Sequence, residues 1–158
     1  MKKLVCLFIL IASFTMVNAQ KKKQPVIKAY SNDEFKLAKK DAESFYKAYN
    51  YAAALKIYER LLVNEPNNAD FNYKMGMCYI NTNVAKEKAI PYLEFAANAN
   101  TKDKPKDVTF DLGKGYLYAG LYDKAIETFE AFRLEKGGSV DVKLKFNQWV
   151  EWSHAAKN

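Results

Sequence analysis

Small and large apolar residues recur along the chain at matched positions, with polar residues between them. Three segments align: 35–68, 69–105 and 106–139. One small position is held in turn by Ala42, Gly76 and Gly113, and three residues later stand Phe45, Tyr79 and Tyr116. A second small position is held by Ala54, Ala89 and Ala125, and four residues later stand Tyr58, Leu93 and Phe129. Spacings of three and four place side chains on one helix face, so each segment is predicted to form two helices.

The glycines at the first small position predict close contact between the two helices of a segment. A glycine inside a helix costs about 1 kcal/mol relative to alanine. Gly76 and Gly113 are therefore expected where the partner helix leaves no room for a larger side chain. The second small residue is expected to face the glycine, with the following large residue filling the neighbouring hole. The predicted helices span residues 32–48, 52–64, 69–82, 86–99, 107–119 and 123–136.

Helix ends carry their own signals. Ser31 and Glu34 form a predicted capping box at the first helix. Pro66 ends the second helix, and Asn67 or Asn68 is expected to cap the third. Gly120 suits a left-handed exit from the fifth helix.

Residues 140–158 are predicted to form a closing helix. One of its faces carries Val142, Phe146, Trp149, Val150 and Ser153, with Trp152 at the margin. An end repeat leaves an apolar side that needs a cover, which favours a capping role. In the alternative, Trp149 and Trp152 dock another domain or protein. The predicted fold is thus all-α: an α-solenoid of three helical hairpins over residues 31–139 and a C-terminal capping helix.

Two stretches of this pattern resemble the tetratricopeptide repeat. The first reads YAAALKIYERLL over residues 51–62 and is followed by Pro66-Asn67-Asn68. The second runs from Gly113 to Ile126. The resemblance extends over residues 35–139, although Asp41, Thr101 and Gly137 depart from the usual pattern. It implies a right-handed superhelix in which the first helix of each hairpin lines a concave groove that binds an extended peptide or protein segment.

Groove residues follow from that resemblance, position by position. The candidates are Tyr46, Tyr73, Met77, Ile80, Phe110, Lys114, Leu117 and Tyr118, with Lys39, Glu43, Lys47, Asp70, Asn81 and Asp107 at further groove positions. In the alternative, several of these side chains pack against neighbouring helices. A clamp for a C-terminal carboxylate is not expected, because Glu43, Asp107 and Asp111 would repel such a ligand.

Composition and charge restrict the kinds of functional site that are expected. The formal net charge is +7, but Lys2, Lys3 and Lys21–Lys23 carry five of those charges, which is too uneven for a nucleic-acid surface. Two cysteines and one histidine argue against a disulfide scaffold, a metal site or a cofactor held by such ligands. His154 stands alone and Cys78 lies within a predicted helix, so no catalytic residues are assigned and an enzyme is not expected.

The first residues have the layout of a secretory signal peptide over residues 1–19. Lys2 and Lys3 precede an apolar run from Leu4 to Val17, and small residues lead to a cleavage point after Ala19. A retained anchor is the alternative, but about 20 apolar residues are needed to span a bilayer. Export without a membrane span after cleavage is therefore expected. Residues 20–30 are predicted to be a flexible basic lead-in.

A narrower resemblance combines the signal layout, three repeats and a closing helix with the stretches Cys78–Thr82 and Ala89–Glu94. This set is similar to the N-terminal repeat region of OmpA-type envelope proteins associated with gliding motility and type IX secretion. It implies a protein-binding module of a cell-envelope assembly, in the periplasm or on the periplasmic face of the outer membrane. Two alternatives stay open: a structural subunit, including a homodimer, that docks through Trp149 and Trp152, or the repeat portion of a larger peptidoglycan-associated protein.

Overall fold

The computed structural model describes residues 26–82, 84–101, 104–137 and 140–157. The predicted signal peptide and residues 20–25 of the predicted lead-in lie outside these residues, as does the side chain of Val142. Within the described residues there are seven α-helices and no strand. They are α1 (Asn32–Lys47), α2 (Tyr51–Asn64), α3 (Ala69–Asn81), α4 (Ala89–Asn98), α5 (Val108–Tyr118), α6 (Tyr122–Glu135) and α7 (Val140–Lys157), with a 3-10 turn at Lys86–Lys88 before α4.

Each helix packs on the next one along the chain. The closest pairs are α1 with α2, α3 with α4 and α5 with α6, and short turns join the members of each pair. The hairpins stack through α2 on α3 and α4 on α5, while α7 covers α6 at the end of the stack. The predicted all-α solenoid of three hairpins and a C-terminal helix is confirmed.

The helix ends follow the local sequence signals. Glu34 accepts hydrogen bonds at 2.9 Å from both the backbone N–H and the hydroxyl of Ser31, as in the predicted capping box. Asn68 caps α3 by accepting the Phe71 N–H at 3.0 Å. The fourth helix differs from its prediction, because its first residues form the 3-10 turn after Ala85, whose φ is +50°. Pro91 then stands in the first turn of α4, where a missing N–H costs nothing.

The glycines at the first small position lie under large side chains of the partner helix. A Cβ atom added to Gly76 would stand 2.6 Å from Leu93 Cγ, and one added to Gly113 would stand 2.5 Å from Phe129 Cε1. The close approach of the helices is therefore confirmed. The second small residue also faces the glycine in the second hairpin, where the Ala89 carbonyl oxygen would lie 3.3 Å from the added Cβ of Gly76, but the large residue one turn later lies closer still.

Two apolar clusters form the core. The first joins α1, α2 and α3 around Tyr58, Leu61, Phe71 and Met75. The second joins α3 to α7 and includes Leu93, Leu112, Tyr116 and Phe129, with Phe146, Trp149 and Val150 of α7 packed against it. The closing helix thus supplies apolar cover to the last hairpin, as the sequence pattern predicts.

The last residues of the predicted lead-in lie against α2. Tyr30 and Asn64 exchange two hydrogen bonds of 2.9 Å between the Tyr30 backbone and the Asn64 amide. Arg60 donates to the carbonyls of Lys28 and Ala29 at 2.6 and 3.3 Å, and its guanidinium lies 3.7 Å from the centre of the Tyr30 ring. Residues 28–30 therefore cover the open side of the first hairpin.

Candidate functional site

The helices α1, α3 and α5 present equivalent positions on one side of the stack. Glu43, Met77 and Lys114 each directly follow the small residue that faces the partner helix. One residue further along a helix is about 100° around its axis, which turns these three side chains out of the hairpin contact. All three are half-buried. The surface formed by these residues and their neighbours on α1, α3 and α5 is called the first-helix face below.

An ion-pair cluster joins α1 to α3 on this face. The Lys74 ammonium donates to Glu43 of α1 and, at 2.9 Å, to Asp70 of its own helix. Burial alone would lower the pKa of Lys74, but these two bonds outweigh it and raise that pKa. Burial likewise acts to raise the pKa of Glu43, and the bond and charge of Lys74 overcome it, so the pKa is lowered. The pair is therefore charged at neutral pH.

A second polar cluster joins α3 to α5. The Tyr73 hydroxyl donates to Asp111 Oδ2 at 2.7 Å, and Lys114 donates to Asp111 Oδ1 at 2.7 Å. Asp111 is 6% exposed, so both bonds are shielded from water. Burial, together with the charge of Asp111, raises the pKa of Tyr73. A buried carboxylate with two donors holds the two helices in one relative position.

The acidic groups of the first-helix face are all engaged. Asp107 lies 3.6 Å from the Lys136 ammonium, and Glu43, Asp70 and Asp111 have the lysine partners described above. The sequence suggested that these carboxylates would repel an acidic ligand. In the structure they instead occupy Lys74 and Lys114 within the fold, so these lysines are not offered to a ligand carboxylate.

Three predicted groove residues pack into the apolar clusters, Ile80 completely and the other two in part. Ile80 is only 4% exposed and lies in the second apolar cluster, so its assignment to the groove was wrong. Tyr46 packs edge-on against Tyr51 and Tyr58, with ring centres 5.6 and 6.3 Å away. The third is Phe110, which packs against the second apolar cluster.

Phe110 is partly buried and packs against the last hairpin and the closing helix, as in the alternative that the sequence left open. Its ring lies 5.4 Å from Phe129, 5.2 Å from Phe132 and 5.9 Å from Trp149. The physical reason is α7, which packs beside α5 and α6 where a further hairpin would begin. A position that would line an open groove is consequently covered at this end of the stack.

The remaining candidates offer surface to different degrees. Met77, Lys114 and Leu117 are half-buried, and Tyr118 is 42% exposed. The Lys86 ammonium lies 4.3 Å from the centre of the Tyr118 ring. At the other end of the face, a shallow depression is lined by Lys39, Asn68, Asp70 and Phe71. The structure thus places Met77 between two polar clusters and Tyr118 at the far end.

The two tryptophans have different roles in the fold. Trp149 is half-buried and contacts the rings of Phe110, Tyr118 and Phe129 at 5.9, 6.4 and 6.0 Å. Trp152 lies 5.0 Å from Trp149 but stays 49% exposed. Trp149 therefore belongs to the capping contact, and Trp152 is the surface residue of the pair.

Reactive groups are few on the described part of the chain. Cys78 is buried, and burial raises the pKa of its thiol to about 12. His154 is exposed near the end of α7. Among the residues with defined positions, no group of three or more His, Cys, Asp or Glu side chains could hold a metal ion. None of the described helices combines the length and apolar character needed to cross a bilayer.

Comparison with known families identifies one repeat. Residues 42–68, from the small position of α1 to the cap of α3, match the tetratricopeptide repeat. A comparison with curated proteins finds no match to this chain. The match and the helical solenoid support a tetratricopeptide-repeat protein, a class of protein–protein interaction modules, and hence a protein partner.

Proposed function

We propose that this protein is an exported interaction module that holds an extended segment of a partner protein on the first-helix face, without chemistry of its own. The repeat match supports a protein partner. The observation that carries the proposal is the position of Met77, a half-buried apolar side chain in the middle row of the face, between two clusters of mutually paired charges.

The pairing of charges decides what kind of segment fits. Because the three carboxylates Glu43, Asp70 and Asp111 are paired with three lysines, the middle of the face has little net charge to offer; the lysines are Lys47, Lys74 and Lys114. Recognition then depends on apolar and aromatic contact, for which methionine and tyrosine side chains are well suited. The partner segment is therefore expected to carry apolar side chains at its centre.

The polar clusters also prepare the face for binding. They connect α1 to α3 and α3 to α5, so the three helices are fixed relative to one another before a partner arrives. A surface that does not need to be ordered on binding loses less entropy. Lys74 and Asp111 are thus positioning residues of the face.

Export and an envelope location are part of the proposal. They are supported by the signal layout of residues 1–19 and by the resemblance to the repeat region of OmpA-type proteins of gliding motility and type IX secretion. The mature chain is expected to begin at Gln20. Its mass and N-terminal sequence, measured on protein recovered from the producing cell, test this; an unprocessed Met1 in the recovered chain would contradict it.

Site-specific photo-crosslinking tests the binding face. A photoreactive residue at Met77 is compared with one at Leu134, which is 74% exposed at the end of α6 and lies away from the first-helix face. Position 77 is expected to capture one defined segment of a partner, identified by mass spectrometry, and position 134 is not. Equal capture of the same segment from both positions would contradict the proposal.

Exposure of Trp152 favours a second candidate, a structural subunit that associates through α7. This candidate predicts concentration-dependent sedimentation that is lost in Trp152→Ala. Trp149→Ala is unsuitable as a test, because Trp149 packs in the apolar core of the last hairpin. Sedimentation as a monomer at all concentrations would exclude self-association through this helix.

A further inference from the structure

The three turns inside the hairpins lie along one edge of the stack. They connect α1 to α2, α3 to α4 and α5 to α6, and hairpins stacked side by side place such turns next to each other. The end of α7 reaches the same edge, because Lys157 Nζ lies 2.5 Å from Asp123 Oδ1 at the start of α6. These turns and the end of α7 are called the turn edge below.

Every turn of this edge exposes a large apolar side chain. Tyr49 is 78% exposed in the first turn, Val84 is 67% exposed in the second, and Leu121 is exposed in the third. Trp152, within two helical turns of the end of α7, adds a fourth exposed apolar group, and Tyr118 is exposed at the end of α5. Turn tips are usually polar, so a row of apolar tips is an unusual feature that needs a partner surface.

Lysines flank the apolar tips. Within one helical turn of the connections, this edge carries Lys47, Lys86, Lys88, Lys124 and Lys157, against the two carboxylates Glu87 and Asp123. Asp123 is already paired with Lys157. The described residues of the opposite edge, taken to the same depth and with the lead-in included, carry seven carboxylates and five cations whose side chains have defined positions. They are Asp33, Glu34, Glu65, Asp70, Asp107, Asp111 and Glu135, against Lys28, Lys104, Lys106, Arg133 and Lys136. The charge of the stack is therefore polarised, with the positive end at the apolar tips.

We propose that the turn edge binds the surface of a lipid bilayer that contains anionic phospholipids. Tyr49, Val84 and Leu121 enter the headgroup region, and the flanking lysines contact the phosphates. Tyrosine and tryptophan favour this interfacial region, and basic side chains near an anionic surface add attraction that falls off with salt. Bound in this way, the stack leaves the first-helix face free for a partner protein, so this proposal does not depend on the proposed function.

Tryptophan fluorescence with brominated lipids tests the proposal on the full chain. The chain has two tryptophans, and Trp152 is the exposed one. Bromine quenches indole emission only at close range, so the signal reports contact at this edge even if residues 1–19 also associate with lipid. Anionic brominated vesicles are expected to quench and blue-shift the emission, zwitterionic ones much less, and Trp152→Phe is expected to remove most of the quenching.

Two charge-reversal variants distinguish binding through the turn edge from general electrostatic attraction between the protein and the anionic lipid. The triple variant Lys47→Glu, Lys88→Glu, Lys124→Glu is expected to raise the lipid concentration for half-maximal quenching at least roughly 100-fold, because the loss of three lysines at an anionic surface already has that effect and the three new carboxylates repel the surface. Its matched control is Lys36→Glu, Lys104→Glu, Lys106→Glu, which makes the same charge change at exposed lysines at or next to the opposite edge. The control is expected to stay within about threefold of the original chain, as surface contacts far from the lipid should.

Several results would overturn the proposal. Anionic vesicles that leave the emission unchanged would do so, as would equal weakening in the two triple variants. An emission shift that depends on protein concentration and needs no lipid would show that the tips bind protein instead. Helical circular dichroism of each variant verifies that it is folded.

Discussion

Replacing Gly113 by alanine tests how the hairpins pack. The new Cβ atom would stand 2.5, 2.7 and 3.0 Å from three carbons of the Phe129 ring. That ring cannot move away freely, because Phe110 and Trp149 lie 5.4 and 6.0 Å from its centre. Overpacking of a dense core costs about 1–3 kcal/mol, and a clash of this depth belongs at the upper end of that range.

Gly115 supplies a matched control on the same helix. It is also buried, but a Cβ atom there would meet its nearest neighbour, Leu93 Cδ1, at an ordinary 3.4 Å. The equivalent positions of the other hairpins hold Ser44 and Cys78, which have Cβ atoms. Gly115→Ala should therefore keep the gain in helix propensity, about 1 kcal/mol, without a clash.

The two substitutions are expected to change the free energy of unfolding in opposite directions. Gly113→Ala should lower the free energy of unfolding by about 2 kcal/mol, because overpacking exceeds the gain in propensity, while Gly115→Ala should raise it by about 0.5–1 kcal/mol. Urea unfolding followed by circular dichroism measures both, with the slope m compared between variants. Gly113→Ala at or above the stability of Gly115→Ala would refute the reasoning from close helix contact.

Three further predictions concern the turns, the thiol and the ion pairs. Tyr49 has φ +59° where the third hairpin has Gly120 at +74°, so Gly120→Ala should cost about 1 kcal/mol in urea unfolding and Tyr49→Gly should cost nothing or stabilise; the reverse order would contradict this. Cys78, buried and with its pKa raised to about 12, should react with a thiol reagent at pH 8 only in denaturant; rapid labelling of Cys78 in the folded chain, located by peptide mass mapping because Cys6 is also a thiol, would contradict it. Because the folded pKa of Glu43 is lowered, its contribution to stability is present at neutral pH and is lost as the pH falls below the ordinary glutamate pKa of about 4.3 toward the lowered folded pKa. Glu43→Gln should accordingly show a shallower loss of unfolding free energy over that range, and an unchanged pH profile would count against the pairing with Lys74.

The helices and their pairing could be predicted because they depend on local spacing. Small residues at matched positions, such as Gly76 and Gly113, report directly on helix contact. The large side chains that lie directly over these glycines were not predicted, since spacing along one helix does not say which residue of the other helix lies opposite. Leu93 and Phe129 were visible as large residues, but their placement over the glycines depends on the axial offset of the two helices.

The candidate site was predicted less well than the fold. Ile80 and Met77 are both on α3 and both contact the second apolar cluster, yet Ile80 is buried there whereas Met77 keeps part of its side chain at the surface. Phe110 was assigned to an open groove because its covering helix, α7, has no counterpart in the repeat pattern. The role of Lys74 in joining two helices was not predicted. Its spacing of four from Asp70 predicts a local pair, but the partner that connects it to α1 is Glu43, which lies 31 residues away.

The contacts between the end of the lead-in and α2 gave no signal in the sequence. It is formed by backbone groups of residues 28–30 and the side chains of Arg60 and Asn64, which are more than 30 residues distant. Backbone donors and acceptors are common to every residue, so such contacts leave no pattern to read. Only the folded arrangement shows that residues 28–30 lie against α2.

The affinity of the captured partner segment tests the central claim most directly. Met77→Glu places one negative charge in the middle of the first-helix face, and Leu134→Glu makes a matched change at an exposed position away from it. Isothermal titration should give a dissociation constant at least about tenfold higher for Met77→Glu and within about twofold of the original for Leu134→Glu. Equal affinities of the two variants would contradict binding on this face.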